Sequence, residues 1–235
     1  MKVIGIESSS LVASVAIVEE DTLTAEYTVN HKKTHSQTLL PMLAEICRMA
    51  ECEVGDADAI AVAAGPGSFT GLRIGAATAK GLGFVTEKPL IAVPTLDAMA
   101  YGLWGCDALI CPILDARRNQ VYGGIYRFED RQRFTVVKPG EAMAIEELLA
   151  ELAELPGRVM FLGDGVPVFR STIEKALGGR ALFAPAPQNR QRAALVAALG
   201  LEMLKRGETV SAAALAPDYH RMSQAERCKA TGEKN

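Results

Sequence analysis

Two carboxylates stand where strand ends could present them to a bound group. Glu7 closes the apolar run Lys2–Ile6, and Asp115 closes Leu109–Leu114. Strand-end acids related by internal duplication are what a magnesium-nucleotide site between two lobes needs. Gly163-Asp164-Gly165 follows the apolar run Arg158–Leu162, and Gly163 and Gly165 could let a nucleotide base approach the backbone. Each feature has a plain alternative: Asp115 can pair with Arg117 or Arg118, and the two glycines can form an ordinary turn. The loop Gly65-Pro66-Gly67-Ser68-Phe69-Thr70-Gly71 joins an apolar run to a helical one, so its free backbone donors could hold an anion. It is not a P-loop, because Leu72-Arg73 stands where Lys-Ser/Thr is required. A tight turn with a good helix cap is the simpler reading.

Other chemistry-bearing residues resolve to plainer roles. His31 and His35 are four apart, but Lys32 and Lys33 between them would repel a dication, and the glutamate of a helical zinc motif is missing. Cys47/Cys52 and Cys106/Cys111 are spaced more widely than most zinc-binding pairs. With Cys228 the cysteines number five, and reduced core or surface thiols are expected. Arg117, Arg118, Arg127, Arg131 and Arg133 gather around one expected hairpin, either as a solvated face or as a modest RNA-facing patch. No Ser-His-Asp or Cys-His arrangement is picked out by spacing.

The elements that must position these residues follow from hydrophobic period. Lys2–Ile6, Val12–Glu19 and Ala25–Val29 read as three strands in a meander. From Thr34, a plausible cap, Leu39, Leu43 and Ile46 recur at helical spacing, with Pro41 expected to bend the helix. Asp58–Ala64 is a buried strand, a helix capped by Thr70 follows, then strand Leu90–Val93 and helix Thr95–Leu103. Near Gly105 the pattern restarts. Strands are expected at 109–114, 120–126, 134–138, 158–162 and 181–183, with helices at 145–152, 168–177 and 190–206. The repeat implies two similar α/β lobes, residues 1–105 and 106–235, with a cleft between them.

In the helix after Thr70, Gly71, Gly75, Ala79 and Gly83 form one stripe of small side chains. Glycine lowers helix stability by ~0.8–1 kcal/mol relative to alanine, so the stripe asks for another backbone at close range, in the same lobe or in a partner. Leu72, Ala76 and Leu82, with Leu39, Leu43 and Ile46 of the preceding helix, supply apolar surface for such a contact.

Composition narrows the function. Lys plus Arg is 25 against 28 Asp plus Glu, a net charge of −3, which argues against holding nucleic acid unaided. No apolar run approaches the ~18–20 residues needed to cross a bilayer, and Glu7 interrupts any signal-peptide core. A cytosolic location with no membrane role is the expectation.

Together, Lys2–Ser10, His35-Ser36 with Leu39-Leu40-Pro41, Gly65–Arg73, Asp115-Ala116-Arg117-Arg118 and Pro217-x-Tyr219-x-Arg221 resemble the bacterial TsaB (YeaZ) family over nearly the whole chain. The resemblance implies an α/β actin-like ATPase (ASKHA) fold of two RNase H-like lobes. It implies a non-catalytic subunit that supports TsaD in moving a threonylcarbamoyl group from its adenylate to N6 of the adenosine beside the anticodon of tRNA. It further implies docking on TsaD through Leu39, Leu43, Ile46, Leu72, Gly75, Ala76, Ala79 and Leu82, homodimers when TsaD is absent, a third component in the ATPase TsaE, and tRNA contact only through the complex. No cofactor is required, and weak ATP or ADP binding at Glu7, Asp115, Gly163 and Gly165 is conceivable. Where the catalytic relative has metal-binding histidines, this chain has Thr95 and Met99, so no metal is expected. Two departures stand out, Glu7 in place of the family's usual Asp and Gln120 in place of its usual Glu.

Three rivals remain: a stand-alone ATP-dependent phosphotransferase or ATPase of the same fold, a metallopeptidase, and an independent RNA binder. Mg-ATP calorimetry, elemental analysis and salt-dependent RNA binding would separate them.

Overall fold

The computed structural model describes residues 1–31 and 34–218. The first sheet has the order β3-β2-β1-β4-β5, formed by β1 (Lys2–Glu7), β2 (Val12–Glu19), β3 (Thr22–Asn30), β4 (Ala59–Gly65) and β5 (Leu90–Pro94). β1 pairs antiparallel with β2 and parallel with β4. Its interior, Val3–Ile6, is apolar because helices cover both faces of the sheet. Ile4, Ile6, Ile60 and Val62 meet α1 (His35–Met49) and α2 (Phe69–Thr86) on one side. Val3, Ala59, Ala61 and Ala63 meet α6 (Ala193–Lys205) on the other. This is the two-residue strand period, read out on two faces.

The second sheet repeats the order as β8-β7-β6-β9-β10, formed by β6 (Leu109–Arg117), β7 (Gln120–Glu129), β8 (Arg133–Ala144), β9 (Val159–Leu162) and β10 (Ala181–Phe183). One face carries α4 (Ile145–Glu154) and α5 (Val166–Leu177), whose Leu148, Leu152, Phe169 and Ile173 pack on Ile113, Val121 and Phe161. The expected duplication is therefore present in the backbone.

The division at 105 follows the sheets but not the packing. α3 (Thr95–Tyr101) places Leu96 and Met99 against Ile110, Leu114, Tyr126 and Leu162 of the second sheet, while Ala98 joins the first lobe's core. In the opposite direction α6, expected in the second lobe, lies on β1, β2, β4 and β5. A Cβ on Gly5 would collide with the Ala193 carbonyl, and one on Gly200 would stand 2.6 Å from Ala61 Cβ. The chain then stays with the first lobe. Val210 bridges to Leu90, Leu215 enters the first core, and Asp218 N–H donates to the Ala64 carbonyl at 2.8 Å. Residues 193–218 belong to the amino-terminal lobe in space, because the outer face of its sheet would otherwise be bare hydrocarbon.

Smaller differences have local causes. Ser68, not Thr70, caps α2, accepting from Gly71 N–H at 3.3 Å. Thr34 occupies the cap position of α1 without a side-chain hydrogen bond, and α1 runs unbroken through Pro41. β8 is longer than expected because Lys138–Ala144 continues pairing with β7. Among the described residues, no helix is long and apolar enough to cross a membrane.

Candidate docking face and interlobe site

The side chains expected to grip a partner mostly point inward. Leu39, Leu43, Ile46, Leu72, Gly75, Ala76 and Ala79 are all buried within the first lobe. The small-residue stripe of α2 serves its own chain. A Cβ on Gly71 would strike the Ser8 carbonyl, one on Gly75 would strike Ser8 Oγ, and Gly83 stands against Leu90. The β1–β2 turn thus nests on the start of α2, held by Ser8 Oγ–H to Gly71 O at 2.9 Å and Ser68 N–H to Ser9 O at 2.6 Å.

Rotating α2 by about half a turn reveals a different apolar face. Leu40, Val54, Ala77, Thr78, Gly81, Leu82, Val85 and Thr86 line an open groove of about 510 Å³ between α1 and α2. Of the eight expected residues only Leu82, half-buried, belongs to it. Phe84 and Val85 are each 80% exposed and Met49 67%. Gly81 differs from the inner glycines: a Cβ there meets nothing within 4 Å. Both α2 stripes recur every three to four residues, so period alone shows a helix apolar nearly all round. Which stripe is inside depends on the partner elements.

The strand-end acids are engaged locally. Glu7 is 1% exposed and accepts from Ser9 N–H at 2.5 Å. Burial pushes its carboxyl up to about 7, against a smaller lowering by hydrogen bonds from Ser9 and Ser8. Asp115 accepts from Arg117 N–H at 2.8 Å and pairs with the Arg117 guanidinium at 3.1 Å, the plainer of its two readings. Its own N–H donates to Asp164 Oδ1 at 3.0 Å, so β6 and the turn after β9 are brought together. Burial raises the Asp164 carboxyl. Gly163 and Gly165 sit on the Ile113 carbonyl, where a Cβ on Gly163 would collide. Arg190 donates to Gly163 O at 3.0 Å, and Gly163 N–H donates to Asn189 Oδ1 at 2.9 Å. These glycines are explained by strand packing; Glu7 joins a separate cluster with the first turn.

The remaining candidates also find local partners. His35 Nε2–H donates to Ser10 O at 2.7 Å, tying α1 to the β1–β2 turn. Thr95 and Met99 are fully buried on α3, Met99 among hydrocarbon. Arg127 and Arg133 share Glu129, and Arg131 pairs with Asp107, so three cations meet two carboxylates at these positions. Cys47, Cys52, Cys106 and Cys111 are free thiols. Cys228, Tyr219 and Arg221 lie outside the described residues. The sequence reading missed Glu26. Its carboxylate accepts from Arg192 Nε at 3.0 Å and from Ala194 N–H at 3.1 Å, capping α6 from β3. No local signal marks it, because cap and helix are 168 residues apart.

Comparison with known proteins bears on this arrangement. The model of the TsaD family, described as tRNA N6-adenosine threonylcarbamoyltransferase, matches residues 22–229. The tRNA threonylcarbamoyladenosine biosynthesis protein TsaB of Bacillus subtilis is 35% identical over 96% of each chain. This chain belongs to the TsaB (YeaZ) family. The Escherichia coli TsaB protein is 33% identical, covering 70% of this chain and 72% of its own. A Pseudomonas aeruginosa structure, described as an uncharacterized protein with similarity to peptidase YEAZ, superposes with a TM-score of 0.79. It is 25% identical, over 94% of this chain and 99% of its own. The fold is the two-lobed actin-like one that the duplicated sheet order indicates.

Proposed function

We propose that this chain is a non-catalytic subunit of the machinery that makes threonylcarbamoyladenosine in tRNA. It docks on a TsaD-type catalytic subunit through the outer faces of α1 and α2 and supports transfer of the threonylcarbamoyl group from threonylcarbamoyl-AMP to N6 of the adenosine beside the anticodon. A TsaE-type ATPase completes the assembly, tRNA is met through the complex, and the same face pairs two copies when the catalytic subunit is absent. The work is cytoplasmic.

The observation that carries this reading is Gly81, set in an exposed apolar groove. It gives up ~1 kcal/mol of helix stability relative to alanine, and among the described residues a Cβ there meets nothing beyond its own stretch of helix within 4 Å. Close approach of another helix gives that position a use. Gly71, Gly75 and Gly83 need no such explanation, since each is met from inside the lobe.

No nucleotide is required for this role, and any ATP or ADP binding between the lobes is weak. Supporting this, Glu7 and Asp115 are hydrogen-bonded by their own turns, and Gly163 is occupied by the Ile113 carbonyl. A reconstituted modification reaction with wild-type and Gly81→Trp protein tests the proposal. The variant should lose both capture of the catalytic subunit and stimulation of tRNA modification while remaining folded. Normal stimulation by the variant would sink the docking face.

A further inference from the structure

The end of α1 builds a feature that docking does not use. Cys52 N–H donates to the Cys47 carbonyl at 3.0 Å, Glu51 N–H donates to Arg48 O at 3.4 Å, and Glu51 has φ +50°. These are the two bonds and the left-handed residue of a Schellman motif, which brings its third-from-last helical residue against the second residue beyond the cap. Here both positions are cysteine. Cys47 lies in the first core with Cys52 packed against it, and both are free thiols. The 3.0 Å bond, with the bent angle at the Cys47 carbonyl, holds the two Cα atoms within about 7 Å, the outer limit for bridging two cysteines.

We propose that Cys47 and Cys52 form a dithiol site that exchanges with small-molecule disulfides to give an intramolecular disulfide. Cys52 is the half-buried, reachable thiol; Cys47 is 8% exposed and packs in the first core. The Cys52 thiolate attacks one sulfur of the small disulfide and expels the first thiolate. Cys47 gives its proton to that thiolate and attacks Cys52 Sγ, expelling the second, which is protonated by solvent. The two cysteines lose two electrons, and the small disulfide is reduced to two thiols. Burial pushes the Cys47 thiol up to about 11, with further raising by Cys52 and Asp56, so the second step is the slow one. The cross-link ties the end of α1 to the segment carrying Val54, one wall of the docking groove.

The test is incubation of the full chain with glutathione disulfide, followed by mass spectrometry. The expected product has lost two thiols and about 2 Da, without added glutathione. Trypsin cuts after Lys33, Arg48 and Arg73, so the bridge should appear as peptide 34–48 joined to peptide 49–73. The oxidised protein should also melt a few degrees higher, since a closed loop removes freedom from the unfolded chain. In Cys47→Ala, the reaction should stop with glutathione held on Cys52. In Cys52→Ser, a milder change at a half-buried position, the Cys47-containing peptide should stay reduced. A wild-type product with glutathione held on Cys52 beside a reduced Cys47, a bridge to any other cysteine, or no reaction would each overturn the proposal.

Discussion

The Ser8 hydroxyl donates to the Gly71 carbonyl at 2.9 Å, across 63 positions of sequence. With Ser68 N–H on Ser9 O, this bond clamps the first turn to the start of α2 and fills the loop that could have held an anion. The glycines of that loop let two backbones meet.

Replacement at the inner stripe should therefore damage the fold. Gly75→Ala places a methyl against Ser8 Oγ, and overpacking of this kind costs ~1–3 kcal/mol. Thermal unfolding should show a clear drop in Tm, with Gly75→Leu worse or insoluble. A Gly75→Ala variant as stable as wild type would contradict the assigned inner face.

Gly81 should behave in the opposite way. Gly81→Ala removes helix strain with no collision and should stabilise the isolated chain by ~0.8–1 kcal/mol, or ~2–4 °C. Gly81→Trp should leave the isolated chain folded by circular dichroism yet abolish pairing in gel filtration with the catalytic subunit.

Stability should fall as pH rises through the Glu7 window. The folded carboxyl titrates at about 7 against an ordinary value of 4.5, so the folded state holds the extra proton between those limits. Unfolding then becomes easier by up to about 3 kcal/mol from pH 4.5 to above pH 7. Glu7→Gln should flatten this slope and raise stability at pH 8, read from urea melts at several pH values. An unchanged slope would place the titration elsewhere.

Glu26 should matter more than its position on an edge strand suggests. Glu26→Ala leaves Ala194 N–H without its acceptor and Arg192 without its carboxylate, costing ~2 kcal/mol. Glu26→Gln keeps an acceptor and should cost less. Equal Tm values for the two variants would argue that the cap contributes nothing.

A fragment of residues 1–105 should not fold alone, because Val3, Ala59, Ala61 and Ala63 lose the helix that covers them. Supplying residues 186–218 in trans should restore a cooperative thermal transition. A native-like transition from 1–105 by itself would show that the return of α6 is dispensable.

Much of the architecture was legible in the residues. The apolar runs at Lys2–Ile6 and Leu109–Leu114, and the change of period after Thr34, set the elements and their repetition, since strand and helix periods are local properties. The plain reading of Asp115, paired with Arg117, also followed from its near neighbours, whereas His35 is buried against Ser10, 25 positions away. The faces did not. Leu39, Leu43 and Ile46 looked the same as an interface stripe would, because burial in one's own lobe and burial in a partner select the same side chains.

By itself, the sequence determined the order of strands and helices, the duplication, the family, and that α1 and α2 carry more apolar surface than one contact needs. Tertiary structure alone decided which stripe of α2 is covered, that α6 returns to the first sheet, and that Glu26 caps it. Those outcomes depend on contacts between residues scores of positions apart, and neither local period nor propensity encodes such pairings.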